Sequence, residues 1–199
     1  MTKQKVFYGY WIVVVTFLCM AISGGAVYYS FPLFYKPLQA EFNWSRGAIA
    51  IAFTTYSVLG ALLAPLAGRM IDRYGVKRAI VTGAIVAGLG FAWLSLVRNL
   101  WSFYAAYILV GLGIKGFDHI PTTKVVSNWF IKRRGTVLGI AGSGFGTGAL
   151  LLAPAIGSYV IPTLGWRAAY LVLALLTWVL IIPGGLLILK TKPADIGLY

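Results

Sequence analysis

The sequence predicts an all-α membrane protein whose six transmembrane helices form a 3+3 inverted repeat. Three observations carry that expectation. The composition is 60% hydrophobic, with mean hydropathy +0.85 and only 4 acidic residues in 199, outside the range of soluble globular domains. Six apolar runs each reach the roughly 20 residues that a helix needs to cross a bilayer. Backbone groups in hydrocarbon must be bonded within their own segment, so runs of this length are expected to be helices. The third observation is an internal repeat that relates the first three runs to the last three.

The first helix is expected over residues 9–35. Lys3 and Lys5 precede it, but the run is far longer than a signal-peptide core and no small-residue cleavage site follows, which predicts a retained helix. Cys19 is the sole cysteine and lies within this run, which excludes an intramolecular disulfide and a multi-cysteine metal site. Tyr28, Tyr29 and Tyr35 crowd the far end, just before Lys36 and Pro37. These tyrosines suit an aromatic wall beside a cation or an interfacial anchor, and Lys36 suits an anion site or a lysine snorkelling to headgroups.

The second helix is expected over 46–67, ending near Gly68. A tight, charged loop follows, in which Arg69, Arg73, Lys77 and Arg78 offset the partial negative charge of the free helix carbonyls. Asp72 is the one acid among them, placed for charge-assisted hydrogen bonds to arginine or to a helix N-terminus; the plainer reading is a solvated aspartate in a positive anchor. Gly68 and Gly75 bracket it, and the third helix is expected over 78–97.

The fourth helix, over 102–128, carries Lys115, Asp118, His119 and Thr122 at i, i+3, i+4 and i+7, one polar stripe on an apolar helix. Ionisable groups at that depth are costly and face a cavity or one another. The stripe therefore reads as a pathway lining in which Lys115 attracts a carboxylate, while Asp118 and His119, whose imidazole titrates near neutral pH, modulate protonation. The competing reading is a structural ion pair packed against the first or second helix. The fifth helix, over 136–161, has glycines four apart (Gly135 and Gly139, Gly142 and Gly146, Gly144 and Gly148), which lets a neighbouring backbone approach closely; Gly139, Gly144 and Gly148 are the expected packing positions. Pro154 and Pro121 are expected to kink their helices. The sixth helix is expected over 168–189, closing a bundle of residues 1–191, with 192–199 as the start of a cytoplasmic central loop or a C-terminal tail.

The repeat runs through these elements in order. Arg46-Gly47, Gly60 to Pro65, Gly68 and Gly75-Val76-Lys77-Arg78-Ala79 are echoed by Arg134-Gly135, Gly148 to Pro154, Gly157 and Gly165-Trp166-Arg167-Ala168-Ala169. Each unit has an odd number of crossings, so the second lies inverted relative to the first, an arrangement that in transporters puts a substrate site at the repeat interface near the midplane. One set of helix ends holds Lys3, Lys5, Arg69, Arg73, Lys77, Arg78, Lys132, Arg133, Arg134, Lys190 and Lys192, which is 11 residues, and the other holds Lys36, Arg46, Arg98 and Arg167, which is 4. The positive-inside rule then predicts a multi-pass protein of the plasma or inner membrane with both termini cytoplasmic.

The residues Gly68, Asp72, Arg73, Gly75 and Arg78 resemble the signature G-x-x-x-D-R-x-G-x-[KR]-[KR] between helices 2 and 3 of the major facilitator superfamily. Trp129-Phe130-Ile131-Lys132-Arg133-Arg134, followed by Gly139, Ala141, Gly144 and Gly148, resembles the helix 4 to 5 signature of its monocarboxylate porter branch, which includes oxalate/formate antiporters. Phe34-Tyr35-Lys36-Pro37-Leu38 and the tail from Lys192 to Tyr199 are similar to the same branch. The resemblance implies the N-terminal bundle of a major facilitator fold, working in secondary active transport of small organic anions by alternating access, with protons as a candidate co-substrate. It implies a second six-helix bundle as partner, Asp72 as a latch against that bundle, and Lys36 as an anion ligand at the outer mouth. A half-size transporter acting as a dimer and a non-transporting membrane subunit are the alternatives.

Net charge +13 would suit nucleic acid, but the cations sit in short clusters between apolar runs, so no nucleic acid is expected. The chain has 1 histidine and 1 cysteine, no G-x-S-x-G elbow and no H-E-x-x-H, so neither an enzyme nor a metal or cofactor protein is expected. Gly142-Ser143-Gly144-Phe145-Gly146 lacks the G-K-[ST] ending of a phosphate loop.

Overall fold

The protein is described by a computed structural model over residues 7–191; Lys3, Lys5 and the tail 192–199 lie outside the described residues. Four apolar helices come first: α1 (Gly9–Phe42), α2 (Arg46–Tyr74), α3 (Val76–Ser95) and α4 (Leu100–Trp129). The next apolar stretch, Arg134–Ile188, has 55 residues. At about 1.5 Å per residue it would be about 80 Å long, against a hydrocarbon core of about 30 Å. It reverses at Gly165, where φ is 84° and ψ 165°, and so forms two crossings, α5 (134–164) and α6 (166–188).

The repeat is visible in these reversals. Gly75, between α2 and α3, has φ 88° and ψ 150°, nearly the conformation of Gly165. They are the two glycines with positive φ among the described residues, and they are the pair that the sequence repeat aligns. This region of backbone space is essentially restricted to glycine. Pro65 precedes Gly75 by 10 positions and Pro154 precedes Gly165 by 11; the π-helical turn Ala155–Val160, bonding i to i+5, absorbs the extra residue. Proline cannot donate to the helical ladder, and π-helical turns follow both Pro154 and Pro183 directly.

Three boundaries differ from expectation. The first helix continues past residue 35, through a 3₁₀ turn at Phe31–Phe34 and a helical stretch Tyr35–Phe42, to a stop at left-handed Asn43. Lys36, Gln39 and Glu41 lower the hydropathy there without breaking the backbone bonds. The second helix continues past residue 67, so Gly68, Asp72 and Arg73 lie on a helix, and the connection to α3 is Gly75 alone. Its last turn still bonds normally, Gly75 N–H donating to the Ile71 carbonyl at 2.9 Å. The fourth helix is interrupted, helical over Leu100–Ile114 and again over His119–Trp129.

Side chains set the starts of two helices: the Ser45 hydroxyl accepts from Ala48 N at 3.1 Å and the Asn99 amide oxygen from Ser102 N at 2.8 Å, capping donors that would otherwise be orphaned. α3 packs along α4 and α6, α1 along α5, and α2 along α4. One end of the bundle gathers the start of α1 and the ends of α4 and α6: Phe7 and Phe130 pack edge to face at 5.5 Å, Tyr8 Oη donates to the Ile188 carbonyl at 2.6 Å, and Trp129 Nε1 to the Lys190 carbonyl at 2.8 Å. At the opposite end Phe34 stacks on Tyr170 at 4.0 Å, and Glu41 accepts from Trp166 Nε1 at 2.6 Å and Arg167 at 2.7 Å. Successive crossings therefore alternate in direction, as the repeat requires. Burial of the apolar spans is uneven, 72% for α1 but 22% for α2, which leaves α2 with a broad open face.

Candidate functional site

The break in α4 builds the site. Pro121, third residue of the second helical stretch, supplies no N–H one turn back, and the chain from Lys115 to Asp118 leaves the α-helical path there, with Asp118 extended at φ −76° and ψ −158°. The break turns the Asp118 carboxylate into the bundle, where the residue is 6% exposed. One oxygen accepts from Ser23 Oγ of α1 at 2.9 Å, and the other meets Lys115 Nζ at 3.2 Å. A buried charge is tolerable only when paired and hydrogen-bonded, and Asp118 has both. Ser23 opens the π-helical stretch Ser23–Tyr29, which runs through Gly24 and Gly25. Two departures from regular helix thus face each other across the bundle, the setting in which polar groups persist inside a membrane protein.

Lys115 reaches toward α2. A Cβ on Gly60 would stand 2.7 Å from the Lys115 Cε, so the lysine stem lies where any other residue at 60 would put a side chain. Beside it is a pocket of about 190 Å³ lined by Tyr56, Gly60, Leu63, Ile108, Leu112 and Lys115 among others. The lysine ammonium has three N–H donors, and Asp118 is the partner it has in the structure.

The stripe expected on the fourth helix is divided by this break. Lys115 and Asp118 meet, but His119 begins the next helical stretch, exposed, with its ring 5.7 Å from that of Phe145 on α5. Thr122 turns its hydroxyl back to the Asp118 and His119 carbonyls at 2.8 and 3.1 Å, a local bond that removes it from any lining role. Tyr28 joins an aromatic cluster with Phe53, Tyr56 and Phe145, at ring separations of 5.7, 5.8 and 5.3 Å. Tyr29 is exposed and edge-on to Phe145 at 5.9 Å. Lys36 lies toward the opposite end, lining a pocket of about 500 Å³ with Tyr35 and Arg46. Lys36 and the Lys115 to His119 group are therefore not brought together.

At the end that holds Gly75, Asp72 bonds Lys124 of α4, and Arg73 lies over its neighbour Tyr74, 5.5 Å from the ring centroid. Gly68 has open space around it, and Arg78 edges a small surface pocket with Tyr74 and Thr82. Lys124, like Ser23, is a residue that sequence reasoning missed. Its signal was a lysine near the end of an apolar run, one helix away from a carboxylate in search of a cation. It also lines an open pocket with His119, Thr123, Ser127, Asn128 and Arg134.

The glycines of α5 divide into two faces. A Cβ on Gly144 would stand 3.1 Å from Met20 Cβ, and one on Gly148 would be 2.7 Å from Ala21 Cα, so both pack backbone to backbone against α1. Gly139 has nothing within 4 Å, which corrects its expected packing role: with Gly135, Gly142 and Gly146 it forms an open stripe instead. Pro154 is exposed where the α-helical ladder gives way to the π-helical turn.

Residues 16–198 match the family model described as Major Facilitator Superfamily. The oxalate:formate antiporter of Oxalobacter formigenes is 31% identical over 87% of this chain and 40% of its own length. Monocarboxylate transporter 7 of Homo sapiens is 29% identical over 89% of this chain and 34% of its own length. The chain thus spans well under half of these relatives, which are transporters rather than enzymes. The crystal structure of tetrameric PepTSo2 shares the fold, with a TM-score of 0.72 over 92% of this chain and 41% of that one at 19% identity.

Proposed function

The chain belongs to the major facilitator superfamily, and on that premise we propose that it is the N-terminal bundle of a secondary transporter carrying small organic anions of the monocarboxylate or oxalate/formate type by alternating access. The observation that carries this reading is the Lys115, Asp118 and Ser23 cluster, an ion pair between a buried aspartate and a half-buried lysine at a helix break on an otherwise apolar span. Such groups are expensive in a membrane and are retained where an ion or substrate passes. Lys115 supplies the attraction for a carboxylate. Asp118 holds the lysine oriented until that carboxylate arrives, and His119 stands exposed at the same break. Lys36 and Arg46, sharing a pocket toward the opposite end, would gather anions before they reach Lys115, with Tyr28 and Tyr29 along the way.

The end with Arg69, Arg73, Lys77 and Arg78 would face the cytoplasm of a plasma or inner membrane, placing both termini there. The open faces of α2 and α5 would seat a second six-helix bundle, either a C-terminal half or a second copy, and Asp72 would exchange Lys124 for a partner on that bundle as the transporter changes state.

Equilibrium binding of labelled lactate, formate and oxalate to the 199-residue chain in lipid nanodiscs tests the proposal. The expected result is saturable binding of at least one anion, weakened about tenfold or more by Lys115→Ala, corresponding to about 1.4 kcal/mol. A folded, inserted chain that binds none of them, or whose binding is indifferent to Lys115, refutes it. Uptake into proteoliposomes then separates the two arrangements: uptake by the chain alone supports a self-pairing half transporter, and uptake only with a C-terminal bundle supports an N-terminal half.

A further inference from the structure

The Tyr56 hydroxyl is the one buried side-chain oxygen or nitrogen among the described residues that has no hydrogen-bond partner. Tyr56 is 1% exposed, and a buried hydroxyl left unpaired is destabilising. It is held in place on every side. Its ring is 5.8 Å from that of Tyr28 and 5.6 Å from that of Phe53. A Cβ on Gly111 would stand 2.8 Å from its Cδ2, so Gly111 of α4 leaves the room that the ring occupies, as Gly60 of α2 leaves the room for the Lys115 stem. The two glycines cross-brace one groove between α2 and α4, and Tyr56 and Lys115 both line its pocket of about 190 Å³. Leu59, Leu63, Ile108 and Leu112 make up much of the remaining wall.

We infer that Tyr56 is a specificity-determining residue, its hydroxyl donating to one carboxylate oxygen of a bound monoanion whose other oxygen meets Lys115, while a short hydrocarbon tail lies along the leucine wall. The inference rests on the transport reading and narrows its substrate. The Tyr56 phenol makes no hydrogen bond in the protein, the Tyr28 phenol being its polar neighbour, and a carboxylate beside an ammonium supplies a stronger, charged acceptor. A second carboxylate on the same ligand would face apolar side chains, and the one nearby cation already carries the charge of Asp118. The groove therefore favours a monocarboxylate with an aliphatic end, such as propionate or butyrate, over the oxalate dianion.

Binding of labelled butyrate, formate and oxalate to the 199-residue chain in nanodiscs, for wild type, Tyr56→Phe and Lys115→Ala, decides the matter, with thermal unfolding of each variant recorded alongside. The expected result is butyrate binding tighter than oxalate, weakened about five- to tenfold by Tyr56→Phe in a chain that unfolds at the same or a higher temperature, since the unpaired hydroxyl is gone. Unchanged butyrate affinity in Tyr56→Phe, with Lys115→Ala still deleterious, overturns the role of Tyr56 and leaves the transport reading intact; it would mean that the hydroxyl is satisfied by water alone. Indifference to both substitutions removes the Lys115 site itself. Oxalate binding tighter than butyrate overturns the assignment of the ligand.

Discussion

Two chemically identical substitutions on α5 should shift stability in opposite directions. Gly148→Ala places a methyl group 2.7 Å from Ala21 Cα and 2.6 Å from its carbonyl carbon, where unstrained carbon contacts lie at about 3.5–4.0 Å. The obstacle is backbone, so no side chain can swing aside, and α1 must move away by about 1 Å. That movement is resisted at the neighbouring contact, where Gly144 already faces Met20 Cβ. Overpacking of this kind costs up to about 3 kcal/mol, and replacing glycine by alanine inside a helix returns about 1 kcal/mol. The net expectation for Gly148→Ala is a loss of about 2 kcal/mol. Gly139→Ala has open space around it and keeps the propensity gain alone, about 1 kcal/mol in the stabilising direction. Reversible unfolding of the 199-residue chain in micelles, followed by tryptophan fluorescence, measures both. If the two substitutions change stability with the same sign and similar size, the assignment of one glycine face to α1 and the other to open space is wrong.

Two further expectations concern the ion pair and the reversals. Asp118→Asn leaves the half-buried Lys115 ammonium without its carboxylate and should cost about 1–3 kcal/mol, whereas the double substitution Asp118→Asn with Lys115→Met, which removes both charges, should recover most of that loss; the same unfolding assay reads both, and a double variant no better than the single one contradicts the pairing. Gly75→Ala and Gly165→Ala meet no neighbouring atoms within 4 Å, so their cost is conformational alone, about 1–3 kcal/mol each; equal losses at the two positions would match their common backbone geometry, and no loss at either would contradict it.

The superfamily and the helical architecture were legible because they rest on one-dimensional signals. Apolar runs long enough to span hydrocarbon mark the crossings, and the glycines aligned by the repeat are the two that turn the chain, because no other residue readily adopts their backbone angles. Helix ends were less legible, since hydropathy reports where lipid contact stops rather than where hydrogen bonds stop: α1 continues beyond Lys36 and α2 beyond Asp72. The interruption at Lys115 to Asp118 was hidden because the spacing i, i+3, i+4, i+7 presumes an unbroken helix. Lys124 went unnoticed because its meaning lies in Asp72, which is 52 positions away in the chain.

The sequence alone determines that this chain spans a membrane, since this follows from solvation cost, and its loop and glycine motifs identify the superfamily by resemblance. Tertiary structure decides which polar groups meet. Lys115, Asp118 and Ser23 come together, while His119 and Lys36 stand apart. One face of the α5 glycines is closed by α1 and the other is open. Tyr56, its hydroxyl unpaired, shares a pocket wall with Lys115. The physical reason is that hydrogen bonds and charge pairs act over a few ångströms between distant positions in the chain, so their partners exist only once the helices have packed.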